Sequence, residues 1–189
     1  MPQKQVIELY KTPVAYELRV SPRARHMRMA VQFDGKVVVT VPRGTGAEFI
    51  SSVLQKKARW ILGKLEFFRL RGPTLGRHKV SRREYKAEKE KARAFVHARL
   101  QYWNQFYNFQ YGTVAIRNQK SRWGSCSRRG NLNFNYKLLH LPANAADYII
   151  VHELCHLKEF NHSPAFWALV ARTVPEYKKL RRDMKTGKV

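Results

Sequence analysis

Cysteine is scarce in this 189-residue chain: only Cys126 and Cys155 occur, neither in a C-x-x-C pair, so a structural disulfide is not expected. Long apolar runs are missing as well, and no stretch reaches the roughly 18 residues that a membrane-spanning helix requires. The first residues, Met1 to Val6, lack the apolar core and small-residue cleavage site of a secretory signal, which points to the cytoplasm. Acidic residues are few. Against 37 Lys and Arg stand 13 Asp and Glu, a net +24 whose field attracts polyanions and makes nucleic acid, or an anionic membrane surface, a candidate partner. The same excess spread evenly over a surface needs no ligand, so charge alone assigns none. No internal repeat is present, and nothing in the sequence addresses the number of subunits.

What is there reads as an α+β chain. Residues 14 to 41 have strand character: Met27, Met29, Val31 and Phe33 alternate with His26, Arg28, Ala30 and Gln32, as a half-buried strand requires. Asp34-Gly35 then supplies a two-residue hairpin turn, and Lys36 to Val41 returns. Thr45-Gly46-Ala47-Glu48 has the form of a capping box, and Phe49, Ile50, Val53, Leu54, Ile61, Leu65 and Phe68 follow at helical spacing, predicting one helix from about Gly46 to Leu70. Arg71 to Gly76, with its clustered Gly and Pro, is the candidate linker.

Beyond the linker, Ser81 to Phe109 reads as a long helix whose apolar stripe, Phe95, Val96, Leu100, Trp103, Phe106 and Tyr107, suits core packing better than nucleotide stacking. Val114 to Asn118 and Asn131 to Leu139 read as strands, joined by a connection over Arg122 to Gly130. Pro142 and Asn144 give an N-terminal signal for a buried helix that runs from Ala145 into His152. Ser163-Pro164 opens another with Ser as cap and Pro at the first helical position, and Pro175 opens a last, basic one.

The chemistry concentrates in His152-Glu153-Leu154-Cys155-His156, an H-E-x-x-H motif. On a helix of 3.6 residues per turn its two histidines lie one turn apart on one face, where both imidazoles can bind one Zn²⁺, and Glu153 adjoins that face as a general base. A catalytic zinc takes three protein ligands and keeps an open position. His162, six residues on in a polar break after Asn161, is preferred as the third. Asn161 tolerates the left-handed conformation that would end the helix and swing the imidazole back. Glu176, 20 residues after His156, is the rival; it opens a basic helix, whose dipole it would complement. By residue type, His140, Tyr136, Tyr148 and Tyr177 are candidates to stabilise an oxyanion. Asn131 to Tyr136 is the candidate edge for an extended substrate, and Trp123-Gly124-Ser125 reads as a tight turn with a packed indole.

Three blocks carry a family resemblance: Lys120-Ser121-Arg122-Trp123-Gly124-Ser125-Cys126-Ser127, then Asp147 through Leu157, then Asn161-His162-Ser163-Pro164-Ala165-Phe166-Trp167. With Ser21 to Met27 and Lys56 to Ile61 they make the chain resemble the YgjP-like metal-dependent hydrolases, a metallopeptidase family. The resemblance implies His152, His156 and His162 as zinc ligands and Glu153 as the catalytic residue. Cys155 stands where that family commonly has a small residue, and a buried, inert thiol is expected there. The spacing from the motif through His162 to Phe166-Trp167 is also similar to the WLM and SprT-like zincin proteases, which act on DNA-attached proteins.

The expected organisation is an N-terminal strand, hairpin and helix subdomain over residues 1–72, followed by a small zincin-like metallopeptidase domain over 73–189. The expected function is a zinc-dependent peptidase acting on polypeptides. The alternatives are a basic nucleic-acid-associated protein with a structural zinc, and a protease acting on DNA-bound proteins.

Overall fold

A computed structural model describes residues 3–70 and 81–186, with the side chains of 185 and 186 excepted. Two compact units emerge, one within residues 3–70 and the other within 81–184. The expected linker and the boundary at residues 72 and 73 lie outside the described residues.

The N-terminal unit is a four-stranded sheet with two helices. Strands β1 (Gln3–Leu9), β2 (Thr12–Val20), β3 (Arg28–Val31) and β4 (Val37–Val41) take the order β1-β2-β4-β3; β2 and β4 are parallel and the other pairs antiparallel. The sequence offers little sign of β1, because its side chains are mostly exposed and its turn uses Tyr10 and Lys11 at positive φ, where glycine or asparagine is the usual signal. The hairpin between β3 and β4 also differs from expectation. Gly35 N–H bonds to Gln32 C=O at 2.9 Å and Gln32 N–H to Lys36 C=O at 2.8 Å, so Phe33-Asp34 form the turn and only Gly35 takes positive φ. Val37, Val39 and Val41 are buried, as are Ile50, Leu54, Ile61 and Phe68 from the helices.

The expected single helix is two, α1 (Ala47–Lys56) and α2 (Ala58–Leu70), broken at Lys57. Lys56-Lys57-Ala58 are all helix formers, so propensity gives no hint of the break. The expected capping box does not form: Gly46 is the cap residue, no side chain caps α1, and the Thr45 hydroxyl donates to Pro42 C=O instead.

The second unit opens on α3 (Arg82–Asn104), which does carry a capping box: Glu84 N–H bonds to the Ser81 hydroxyl, and Ser81 N–H to the Glu84 carboxylate. It stops short of Phe109 because the Asn104 side chain pairs with both backbone groups of Phe109 while Asn108 takes positive φ. Strands β5 (Val114–Arg117), β6 (Gly124–Cys126) and β7 (Leu132–Asn135) form a second sheet in the order β5-β7-β6, with β5 parallel and β6 antiparallel to β7.

Strand β7 ends at Asn135, earlier than its alternation suggests. The buried amide of Asn135 donates to Gln119 C=O and Arg122 C=O, and its oxygen accepts from Lys137 N–H, turning the chain into a 3₁₀ helix over Tyr136–His140. Helices α4 (Ala143–Cys155), α5 (Pro164–Thr173) and α6 (Tyr177–Thr186) complete the unit. The architecture is α+β, as the sequence leads one to expect, with the H-E-x-x-H segment on α4. No helix among the described residues is long and apolar enough to cross a membrane.

Helix α4 is buried on almost every side: Ala145, Ala146, Ile150, Val151 and Leu154 have no exposure, and Ala92, Val96 and Leu100 of α3 belong to the same core. Arg99 of α3 grips Asp147 of α4 with two hydrogen bonds. Replacing Leu100 by Ala removes buried methyls from this core and should lower unfolding stability by about 2–5 kcal/mol. Denaturant titration checks this, and a shift of the midpoint within error would show that the contact between α3 and α4 does not carry the fold.

Candidate metal centre

The last turn of α4 holds His152 and Glu153 and ends with His156 as the C-cap residue. The chain then tightens: Leu157 N–H bonds to Leu154 C=O, and the N–H groups of Lys158 and Glu159 both reach Cys155 C=O. Asn161 does not take the left-handed conformation expected of it; the reversal is made by the turn over 156–158. Ser163 then caps α5 by accepting from Phe166 N–H, with Pro164 in the first turn.

This path returns His162 to the helix. The Nε2 atoms of His156 and His162 lie 3.2 and 3.1 Å from Nε2 of His152, and among the described residues this is the one set of three or more His, Cys, Asp or Glu side chains able to share a metal. Glu176 is exposed, in the turn before α6, and is not part of the set.

The donor geometry fits a small tetrahedral ion. Bonds of about 2.0–2.1 Å from one zinc to two imidazoles put their nitrogens roughly 3.3–3.4 Å apart, close to the separations found. The protonation states fit too. His156 Nδ1 lies 2.9 Å from Glu159 C=O, which can only accept, so Nδ1 carries the proton and the lone pair of the neutral ring is left on Nε2. Burial, reinforced by the two neighbouring histidines, lowers the His152 pKa to about 3 and keeps that ring neutral. Its Nδ1 is buried without a hydrogen-bond partner among the described residues.

Aromatic rings from α5 hold the cluster. Phe166, fully buried, stacks on His156 with centroids 4.5 Å apart and meets His152 edge-on at 4.9 Å. Trp167 stacks on His162 at 5.5 Å and donates its indole N–H to His162 C=O at 3.1 Å, while Tyr177 stacks on the indole and Arg181 lies over it at 4.6 Å.

Glu153 faces a cavity of about 190 Å³ lined also by Trp123, Gly124, Tyr148, Ile149, His152 and Met184. It is 6% exposed, and desolvation lifts its pKa to about 8 against a weaker opposing pull from Arg122. Gly124 is the residue that makes room for it. A Cβ there would sit 2.6 Å from Glu153 Cγ and 2.7 Å from Oε1. The sequence predicts a tight turn over Trp123-Gly124-Ser125, but Gly124 begins strand β6, and its lack of a side chain lets the glutamate lie against that strand. The only signal was the glycine itself, with nothing to say what it faces.

Strand β7, the expected substrate edge, is central and paired on both sides; β5 and β6 are the edges. Of the oxyanion candidates, Tyr148 lines the cavity, with burial pushing its hydroxyl up to about 12. Tyr177 packs on Trp167, His140 pairs with Glu88, and Tyr136 meets Tyr85 edge-on. Cys155 is fully buried, with its thiol pushed up to about 12 by desolvation, and both cysteines are free.

Comparison with known proteins gives the class: a metal-dependent peptidase. The model of the YgjP-like family, described as a metallopeptidase domain, matches residues 70–187, and the chain belongs to that family. It is similar to two solved structures of metallopeptidase zymogens. Abylysin of Pyrococcus abyssi is 30% identical, with a TM-score of 0.43 over 48% of this chain and 93% of that one. Jannalysin of Methanocaldococcus jannaschii is 19% identical, with a TM-score of 0.44 over 50% of this chain and 97% of that one. No curated protein matches the chain.

The raised pKa of Glu153 has a sign in stability. With no metal bound, the folded chain holds a proton up to about pH 8 that the unfolded chain gives up near 4.5, so this group's contribution is present below pH 4.5 and is lost as pH rises through 8. In chelator, Glu153→Gln should therefore melt increasingly above the parent as pH goes from 5 to 8. A difference that stays constant over that range would show that the carboxyl is not perturbed.

Proposed function

We propose that the chain is a zinc peptidase in which His152, His156 and His162 hold the ion and Glu153 is the general base. The convergence of the three Nε2 atoms carries this reading. Zinc held by these three residues would supply Lewis-acid polarisation of a carbonyl and acidification of water. A cation on the three histidines would favour the ionised form of Glu153, which, walled in beside His152, then takes the proton from the attacking water on a carboxylate oxygen and returns it to the leaving amide nitrogen. Tyr148, protonated throughout the neutral range, offers its hydroxyl to the developing oxyanion from the same cavity wall. An extended polypeptide pairs along β6, the sheet edge that begins at this cavity. The peptidase domain corresponds to residues 73–189.

A purely structural zinc is the weaker reading. Structural sites are closed by four protein ligands, whereas here three imidazoles meet next to a cavity lined by the Glu153 side chain.

His162→Ala should lose most of its bound zinc, measured by metal analysis after dialysis; full retention overturns the ligand set. Glu153→Gln should keep zinc and lose cleavage of an unfolded protein such as casein by at least about a hundredfold, the lower end of what a positioned acid-base group contributes. Gly124→Ala, which displaces that carboxyl, should keep zinc and cut more slowly than the parent.

A further inference from the structure

The N-terminal unit uses its acids on only some of its cations. Glu17 pairs with Arg19, Asp34 with Lys36 and Glu66 with Arg69. Arg23, Arg25, Arg28 and Arg43 are exposed and make no ion pair among the described residues; Glu48, in the first turn of α1, follows Arg43 in sequence. The loops that carry them border a cleft of about 400 Å³, within the size range of ligand sites, lined by Arg25, His26, Thr45 and Phe49 among others.

Phe49 is a large apolar ring, 56% exposed, that lines this cleft together with Arg25. It sits in the first turn of α1, whose N-terminus receives no side-chain cap and is approached through Gly44 and Gly46, each with open space where a side chain would stand. Unneutralised arginines suit phosphate oxygens. An exposed ring in the same cleft suits the face of a base.

We infer that this cleft binds single-stranded nucleic acid, with Arg25 and Arg43 on the phosphates and Phe49 stacked on a base. A duplex keeps its base faces stacked on one another and gives Phe49 nothing to cover. An acidic peptide would satisfy the arginines and leave the ring idle. The site lies in a different unit from the metal centre, and its test is independent of zinc and of cleavage.

The experiment is fluorescence anisotropy of the full chain with a labelled oligothymidylate of about twelve nucleotides, its duplex with oligoadenylate, and polyglutamate, each over a series of salt concentrations. Phe49→Ala should weaken single-strand binding by a factor of about 5 to 150, the range of one base–aromatic stack, and Phe49→Trp should restore it. The double variant Arg25→Ala/Arg43→Ala should flatten the salt slope by roughly 1.4, the share of two phosphate contacts on a single strand. Parent-like affinity and salt slope in these variants overturn the inference. So does equal loss of duplex binding on Phe49→Ala, or polyglutamate binding as tightly as the oligonucleotide.

Discussion

Three imidazole rings converge at the end of α4, with the Nε2 atoms of His156 and His162 lying 3.2 and 3.1 Å from that of His152, and much of the second unit is arranged to hold them there. His152 and His156 are fixed by one turn of α4, a helix so thoroughly buried that it cannot rotate without opening the core. The Glu159 carbonyl sets the proton of His156 on the side away from the cluster. Phe166 and Trp167, delivered by the Ser163 cap and Pro164, close on the rings and the backbone from the next helix. Rings held in this way offer a cation three donor atoms already in place.

Glu153 is a carboxyl in a desolvated wall, expensive when ionised, which is why its pKa climbs toward neutrality. The position is tolerated because Gly124 leaves space and because Arg122 supplies some opposing charge. In turn, Gly124 stands where it does because β6 is zipped to β7 and because the buried Asn135 amide holds the 119–122 segment that leads into it. Fold and site are joined through that short strand.

How much of this was legible in the sequence depends on the range of the interaction. The histidine pair on one helix face was legible, since four-residue spacing and helical pitch are local. Ser163-Pro164 also read correctly, because a cap needs only its own next turn. The hairpin at Tyr10-Lys11 was hidden, since its left-handed residues are not those that usually mark such a turn. The break at Lys57 left no compositional trace, and the cap at Thr45 shifted by one residue and failed. Least legible was the apposition of Gly124 and Glu153, which depends on a strand pairing with no periodic signature in three residues. The central position of β7 was missed for the same reason: alternation shows that a strand is half-buried, not which neighbours it has.

The aromatic packing around the cluster makes the protein its own optical probe. Two of the four tryptophans border the centre, Trp167 stacked on His162 and Trp123 in the wall beside Glu153. Indole emission responds to a nearby charge and to the loss of water. Occupation of the cluster and entry of a ligand into the cavity therefore each have a native chromophore at hand, one on the ligand side and one on the acid-base side, and the two events can be told apart by which tryptophan is replaced with phenylalanine.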